Sequence, residues 1–337
     1  MSFTLQRNRS HSQSKSAIVL PICLLLFATG CNQPFDPRAP LKPQLVVFSV
    51  LSNDRTAQFV RVESNYMPVE FDPSTSLSDN AITDALVILK DSSLTYQFRD
   101  TVIDRRDTTR YRFPIHVYGL PSFTPQRGRV YKLTIESPTM GTATASVTIP
   151  ARSKIFMDNR LESFFRYPEL NKPDVAIPME AQLSGYTQAY IGRLYVYYDV
   201  LKGTEWVEER VEVPLSAMDS VGYNLIFPRY PDLTLLSGEQ HINMIFFNGY
   251  YLATIKERTF GRYEKNRIIY KWSVFVLLQT DLNLYNYYSS VHEFRDPRSI
   301  RLDEPIYSNV KGGTGMVGAY TLDSIVVVLP ASFMGNR

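Results

Sequence analysis

Apolar and polar residues alternate through most of this chain, and the pattern breaks at three places. These are an unbroken apolar run near the start, a change of period near residue 281, and a glycine-dense stretch after residue 311. From residue 44 onward, short strand-like runs are separated by turn residues, at 44–51, 56–65, 85–90, 94–99, 111–118, 130–137 and 142–149. The alternation is cleanest in the sixth run. There Tyr131, Leu133 and Ile135 fall on one face and Val130, Lys132 and Thr134 on the other, so the first set is predicted to face a core. Seven short strands with no helical run between them predict an immunoglobulin-like β-sandwich over residues 43–150. Within it Arg127-Gly128-Arg129 reads as a turn, and the mixed charges of Asp104 to Arg110 read as a solvated hairpin loop.

The remainder, 151–337, is predicted to be a second β-rich domain with one main helix. Residues 189–200 alternate through Tyr190, Leu194 and Val196, turn at Lys202-Gly203-Thr204, and return over 205–213 with Val207, Val211 and Val213 on one face, which is a hairpin pattern. Runs at 242–247 and 250–255 flank Asn248-Gly249, a pair suited to a tight hairpin turn because both positions tolerate positive φ. Residues 268–279 form a long strand candidate. At Asp281 the period becomes helical: Leu284, Tyr288 and Val291 recur at spacings of four and three, Asp281 can cap the first turn, and Pro297 follows the expected end near 294. A helix of this length takes most of its stability from packing one face. Tyr285, Tyr288 and Val291 are therefore expected against the second domain's sheet, with Gly312 to Gly318 as an ordered loop beside them leading into a last strand at 321–329. If Tyr285, Tyr287 and Tyr288 were exposed there instead, they would form a candidate partner surface.

The apolar run at the start changes the picture from fold to address. Arg7, Arg9 and Lys15 precede it with no acidic residue, and Ala17 to Phe27 is too short for the ~20 apolar residues a spanning helix needs. Ala28-Thr29-Gly30 then places small residues before Cys31 and resembles the lipobox of bacterial lipoproteins. Residues 1–30 are read as a signal peptide, Cys31 as the lipidation site, and 31–42, with Pro34, Pro37 and Pro40, as an extended tether. Cys23 lies in the signal segment, so after cleavage Cys31 has no cysteine to pair with, and acylation protects an otherwise oxidisable thiol. Several acyl chains on one residue hold firmly to a bilayer at ~0.8 kcal/mol per buried methylene. The expected membrane contact is thus through lipid on Cys31.

Charge then removes one class of partner. The chain has 36 basic and 33 acidic residues, and the excess of three basic residues lies within 1–30, leaving 33 of each sign after cleavage. A neutral mature protein gives no basis for nucleic acid as a partner.

Candidate catalytic chemistry is sparse along the chain. Gly313-Thr314-Gly315-Met316-Val317-Gly318 fits G-x-G-x-x-G, but the run after it is rich in Val and Ile where a dinucleotide site needs a helix, and no phosphate-cradling G-K-[ST] accompanies it. His116, His241 and His292 are far apart and lack metal-ligand spacing, and His292-Glu293 has no second histidine. No G-x-S-x-G elbow occurs, and the S-x-x-K match at Ser12 to Lys15 falls in the signal segment. Glu208-Glu209 and Asp303-Glu304 would point to opposite faces in strands. No catalytic residue, cofactor or metal ligand is expected.

The helix with Tyr285, Tyr287 and Tyr288, then Pro305, then Ser308-Asn309-Val310-Lys311-Gly312-Gly313-Thr314-Gly315-Met316-Val317-Gly318-Ala319-Tyr320, resembles the Bacteroidota lipoproteins of the domain-of-unknown-function family 4249. Leu45-Val46-Val47 and Gly128-Arg129-Val130-Tyr131-Lys132-Leu133 agree in style. The resemblance implies an outer-membrane lipoprotein, often encoded near TonB-dependent transporters, with no established activity. The expected role is a lipid-anchored accessory or binding protein for a TonB-dependent transporter or other envelope complex. An envelope hydrolase with a cleft between the domains, or a purely structural envelope component, are the alternatives. Few acidic residues follow Cys31, which leans toward the periplasmic face of the outer membrane.

Overall fold

The computed structural model describes residues 41–66, 79–105, 114–156, 176–218, 225–229, 232–236, 238, 240–247, 251, 254, 267–292 and 307–328. Cys31 and the signal segment lie outside them. The first part of the chain forms β1 (Leu45–Ser52), β2 (Gln58–Ser64), β3 (Leu86–Lys90), β4 (Thr95–Gln97), β5 (Arg99–Ile103), β6 (Ile115–Leu120), β7 (Val130–Ser137) and β8 (Gly141–Thr148). Then follow β9 (Lys154–Phe156), β10 (Ala176–Gln182), β11 (Ala189–Lys202), β12 (Glu205–Val213), β13 (Leu215–Met218), β14 (Leu225–Arg229), β15 (Thr234–Leu235), β16 (His241–Phe247) and β17 (Ile268–Thr280). The helix α1 (Leu282–His292) and the long strand β18 (Gly313–Val328) close the described chain.

The chain is mainly β, and its first part is the expected immunoglobulin-like sandwich. One layer is the sheet β4-β3-β7-β8, and the other is the β18-β1-β2-β6-β5 end of a larger sheet. Side-chain alternation builds the core between them. Leu45, Val47, Leu51, Val60 and Val62 meet Val87, Leu89, Tyr131, Leu133, Ile135 and Val147, while Val130 is 56% exposed. Buried aromatics keep their polar ends satisfied. The Tyr118 hydroxyl accepts from the Ala85 N–H and donates to the Ile82 carbonyl, both at 2.9 Å.

The larger sheet continues without interruption as β12-β11-β17-β18, and this half covers the three-stranded sheet β16-β10-β9. Leu194, Val196, Val200, Phe275 and Leu277 on one side pack with Met179, Ala181, Ile242 and Phe246 on the other as a second core. The β11–β12 hairpin has the expected register, with Lys202 opposite Glu205 across a turn where Gly203 takes φ +65°.

β18 belongs to both cores. Its residues 313–320 run parallel to β1, from Leu45↔Gly313 to Ser52↔Tyr320. Residues 320–328 run antiparallel to β17, from Thr280↔Tyr320 to Trp272↔Val328. Val317 and Ala319 accordingly sit in the first core, with Val310 just ahead of the strand, and Ile325 packs on the second. The segment 151–337 thus lends residues to the sandwich assigned to 43–150.

Several sequence expectations need correction. The glycine stretch is not a loop: β18 begins at Gly313. Glycine is depleted in strands, yet here the chains approach too closely for anything else. A Cβ on Gly315, at φ +116°, would stand 2.0 Å from the Val47 carbonyl oxygen, and one on Gly318 would stand 2.9 Å from Leu284 Cβ in α1. The run at 94–99 is divided between β4 and β5, which lie in different sheets. β16 pairs with β10 rather than with a strand at 250–255. Asn248 and Gly249 lie outside the described residues, and Tyr251, expected in that strand, is helical and buried because the second core absorbs its ring. The helix expected over 281–294 is described as Leu282–His292, and residues 293 and 294 lie outside the described residues.

Candidate functional site

Two regions concentrate polar chemistry. The first is the expected tyrosine helix. Asp281, buried at the end of β17, caps α1: its Oδ1 accepts from the Leu284 N–H and from the Ala319 N–H of β18, both at 3.0 Å. Its Oδ2 accepts from Asn283 Nδ2 at 3.0 Å. Burial pushes the Asp281 carboxyl up to about 6, against those donors, which pull it down. One carboxylate thereby fastens the helix start to the strand that the helix covers. Leu284 rests on Gly318.

Tyr285, Tyr287 and Tyr288 are each half-buried. The Tyr287 ring meets Phe48 of β1 edge-on, with centroids 5.8 Å apart, and the Tyr288 hydroxyl donates to Asp232 Oδ1 at 2.6 Å. Helix and glycine segment therefore do pack as one unit, but on the outer face of the larger sheet and partly over β1 of the first sandwich. The side chain of Val291 is outside the described set. At least two of the three tyrosines are engaged internally, so they make a poor free surface.

The second region lies where the two cores meet on β18. Asp323 faces inward there with 9% exposure. Its Oδ1 accepts from Arg127 Nη1 at 2.6 Å. Its Oδ2 accepts from the Ser153 N–H at 2.8 Å, from Ser153 Oγ at 2.6 Å and from Gln279 Nε2 at 3.0 Å. Arg127 also donates to the Leu322 carbonyl, 2.8 Å from Nη2, and to the amide oxygen of Asn53, 2.8 Å from Nε and Nη2. Gln279, fully buried, accepts from Thr187 Oγ1 at 2.7 Å. The Ser184 hydroxyl accepts from the Ala151 N–H at 3.0 Å. This network joins residues from the turn before β7, the crossing at 151–153, β17 and β18. In a low-dielectric junction such groups are costly unless partnered, and each of the side chains just named has at least one partner, whereas the buried Thr321 hydroxyl beside them has none among the described residues.

A groove of about 820 Å³ opens over this network, lined by Arg127, Arg152, Ser153, Lys154, Ile155 and the 322–325 segment of β18. Its size is in the range of small-molecule sites, ~300–1,000 Å³. None of these residues was expected in a site: Arg127 reads in the sequence as part of a turn and 321–329 as a plain last strand. A usable signal existed: counted from Val317 and Ala319, Asp323 has the inward parity of the strand, as Gln279 has with Phe275 and Leu277. A polar residue on the core face needs a built partner set.

The two histidines with described side chains, His116 and His241, have separate neighbours. His116 lies 4.0 Å from Asp79 and 3.9 Å from Asp100, and His241 lies 3.6 Å from Glu180. Among the described residues no three His, Cys, Asp or Glu side chains are grouped to hold a metal ion. Among them, too, no helix is long and apolar enough to cross a membrane.

Fold and site together define a β protein with two stacked cores, a shared strand and a polar groove at their junction. The family described as "Domain of unknown function (DUF4249)" matches residues 32–325, and the chain belongs to it. No curated protein matches. Among solved structures, the C-terminal globular domain of an oligosaccharyltransferase from Pyrococcus abyssi is 10% identical, with 70% of this chain and 46% of that one covered at a TM-score of 0.23. This chain therefore spans about half the length of that structure. The IG1+IG2 structure of DIP-gamma is 7% identical, with 83% and 98% covered at a TM-score of 0.17.

Proposed function

We propose that this protein is a lipid-anchored accessory module of the outer membrane, held through acyl chains on Cys31, that binds a ligand or partner on behalf of an envelope complex such as a TonB-dependent transporter. The observation that carries the binding part is the junction groove, whose floor is fixed by the Asp323 network. Asp323 has four donors on its two oxygens, and Arg127 has acceptors for four of its five N–H groups. Neither is left to accept or deliver a proton to a substrate, which favours binding over turnover. The anchor rests on the signal segment, the small residues before Cys31 and the short tether.

The experiment compares the full-length protein with Cys31→Ser in its native host. Incorporation of labelled palmitate and recovery in the outer-membrane fraction are expected for the first and lost for the second. Purification of the anchored form from detergent-solubilised envelopes is expected to bring a transporter with it in stoichiometric yield. Equal membrane recovery of both forms would overturn the anchor, and recovery of the protein alone under several growth conditions would overturn the accessory role.

A further inference from the structure

The groove has a charge the network does not use. Arg127 and Asp323 neutralise one another, and what remains on the rim is Arg152 and Lys154, two residues apart on the segment that enters β9. Among the described residues neither is ion-paired to a carboxylate. Lys154 lies over the Phe156 ring, 5.0 Å from its centroid, and Arg152 is exposed. Ser153 between them turns the other way, its hydroxyl bound to Asp323, so the network fixes the backbone from which both cations project. Several other cations of the described surface are matched: Lys271 lies 3.0 Å from Asp199 and 2.7 Å from Glu208, Arg193 3.4 Å from Glu212, and Arg129 3.0 Å from Asp91. The groove also has an apolar side, from Ile155, Leu322 and Ile325.

We infer that the groove is a binding site for an organic anion, a phosphate or carboxylate group carried on an apolar body, with the anionic head between Arg152 and Lys154 and the body against Ile155 and Ile325. This rests on the binding role proposed above and names its ligand class. The arrangement suits such a ligand because two cations held by a rigid segment lose little freedom on pairing, and because the groove wall lowers the local dielectric around the pair. The apolar side distinguishes the ligand from a bare inorganic anion, which would gain only the head-group contacts.

Titration calorimetry on the soluble chain from residue 32 onward tests this with octyl phosphate as the probe, below its micelle concentration. Inorganic phosphate and octyl glucoside serve as the two half-probes. Octyl phosphate is expected to bind at one site, with affinity falling as salt is raised, while inorganic phosphate competes weakly and octyl glucoside binds at least about tenfold less tightly. Arg152→Ala/Lys154→Ala, both exposed and outside the buried network, should keep the unfolding midpoint and weaken octyl phosphate by about tenfold or more. Ile155→Ser should weaken octyl phosphate and leave inorganic phosphate unchanged. Equal binding of the phosphate and the glucoside, an unaffected double variant, or no binding at millimolar octyl phosphate would each overturn the inference. The accessory role is read separately, by co-purification of the Arg152→Ala/Lys154→Ala protein with its envelope complex.

Discussion

Replacing Asp323 by alanine tests how far the junction network holds the two cores together. The substitution removes the acceptor of four hydrogen bonds at 2.6–3.0 Å. It leaves the buried Ser153 N–H without that partner, and it leaves the Gln279 amino group with only the Ala151 carbonyl at 3.3 Å. Each stranded buried donor costs about 1–3 kcal/mol, and breaking a buried ion pair from one side about 3–5 kcal/mol. Arg127 keeps Asn53 and the Leu322 carbonyl, and water from the groove can reach the vacated position. The lower end, about 3 kcal/mol, is therefore expected. At roughly 2–4 °C per kcal/mol for a chain of this size, the thermal midpoint should fall by roughly 6–12 °C. The assay is calorimetric or circular-dichroism melting of wild type, Asp323→Ala, Arg127→Ala and the double variant. Arg127 is more exposed and should cost less alone, and the cycle should show a coupling of about 0.5–3 kcal/mol. A cost for Asp323→Ala below about 1 kcal/mol, or strictly additive single variants, would refute the view that this network is a structural joint.

Three further outcomes are expected. Gly318→Val places a side chain where a Cβ already meets Leu284 at 2.9 Å. It should cost about 1–3 kcal/mol and raise amide exchange across α1, and unchanged exchange there would show that the helix does not depend on that approach. Asp281 has a folded pKa of about 6 against 3.8 when unperturbed, so the fold favours its protonated form. Its contribution is present below pH ~4 and is lost as pH rises through 6, a swing on the order of 3 kcal/mol. Wild type should therefore gain on Asp281→Asn in denaturant titrations as pH is lowered from 7 to 4, and a pH-independent difference would contradict this. Tyr251→Phe removes the hydroxyl that meets Ser273 Oγ at 3.0 Å inside the second core and should cost about 1–3 kcal/mol by urea unfolding, whereas a neutral result would mean water satisfies Ser273.

Strands were legible wherever alternation was local. β7 and the β11–β12 hairpin follow from their own residues, and Asp281 marks the start of α1 because a carboxylate before an apolar period of three and four is a cap. What escaped was non-local. Gly313 to Gly318 lacks the branched and aromatic residues of a strand, and its need for small residues comes from β1 on one side and α1 on the other, neither of which is near in sequence. The pairing of β16 with β10 was hidden for a similar reason: it brings together segments about 60 residues apart, chosen by burial against β17 and β11. The junction site was hidden because its residues come from four distant segments, and each alone looks like an ordinary polar residue beside a turn. Only the inward parity of Asp323 and Gln279 betrayed it.

The shared strand has a consequence for biogenesis. The first sandwich cannot finish its core until residues 310–320 have arrived, more than 260 positions after β1. Until then β1 presents an unpaired edge, the kind of surface that recruits other chains. Long-range parallel closure is also intrinsically slow. A chain emerging amino end first would thus remain open to chaperones until residues 310–320 have followed. Truncation near residue 300 should damage the amino-terminal sandwich as severely as the carboxy-terminal one, so a premature stop late in the reading frame would leave no folded fragment.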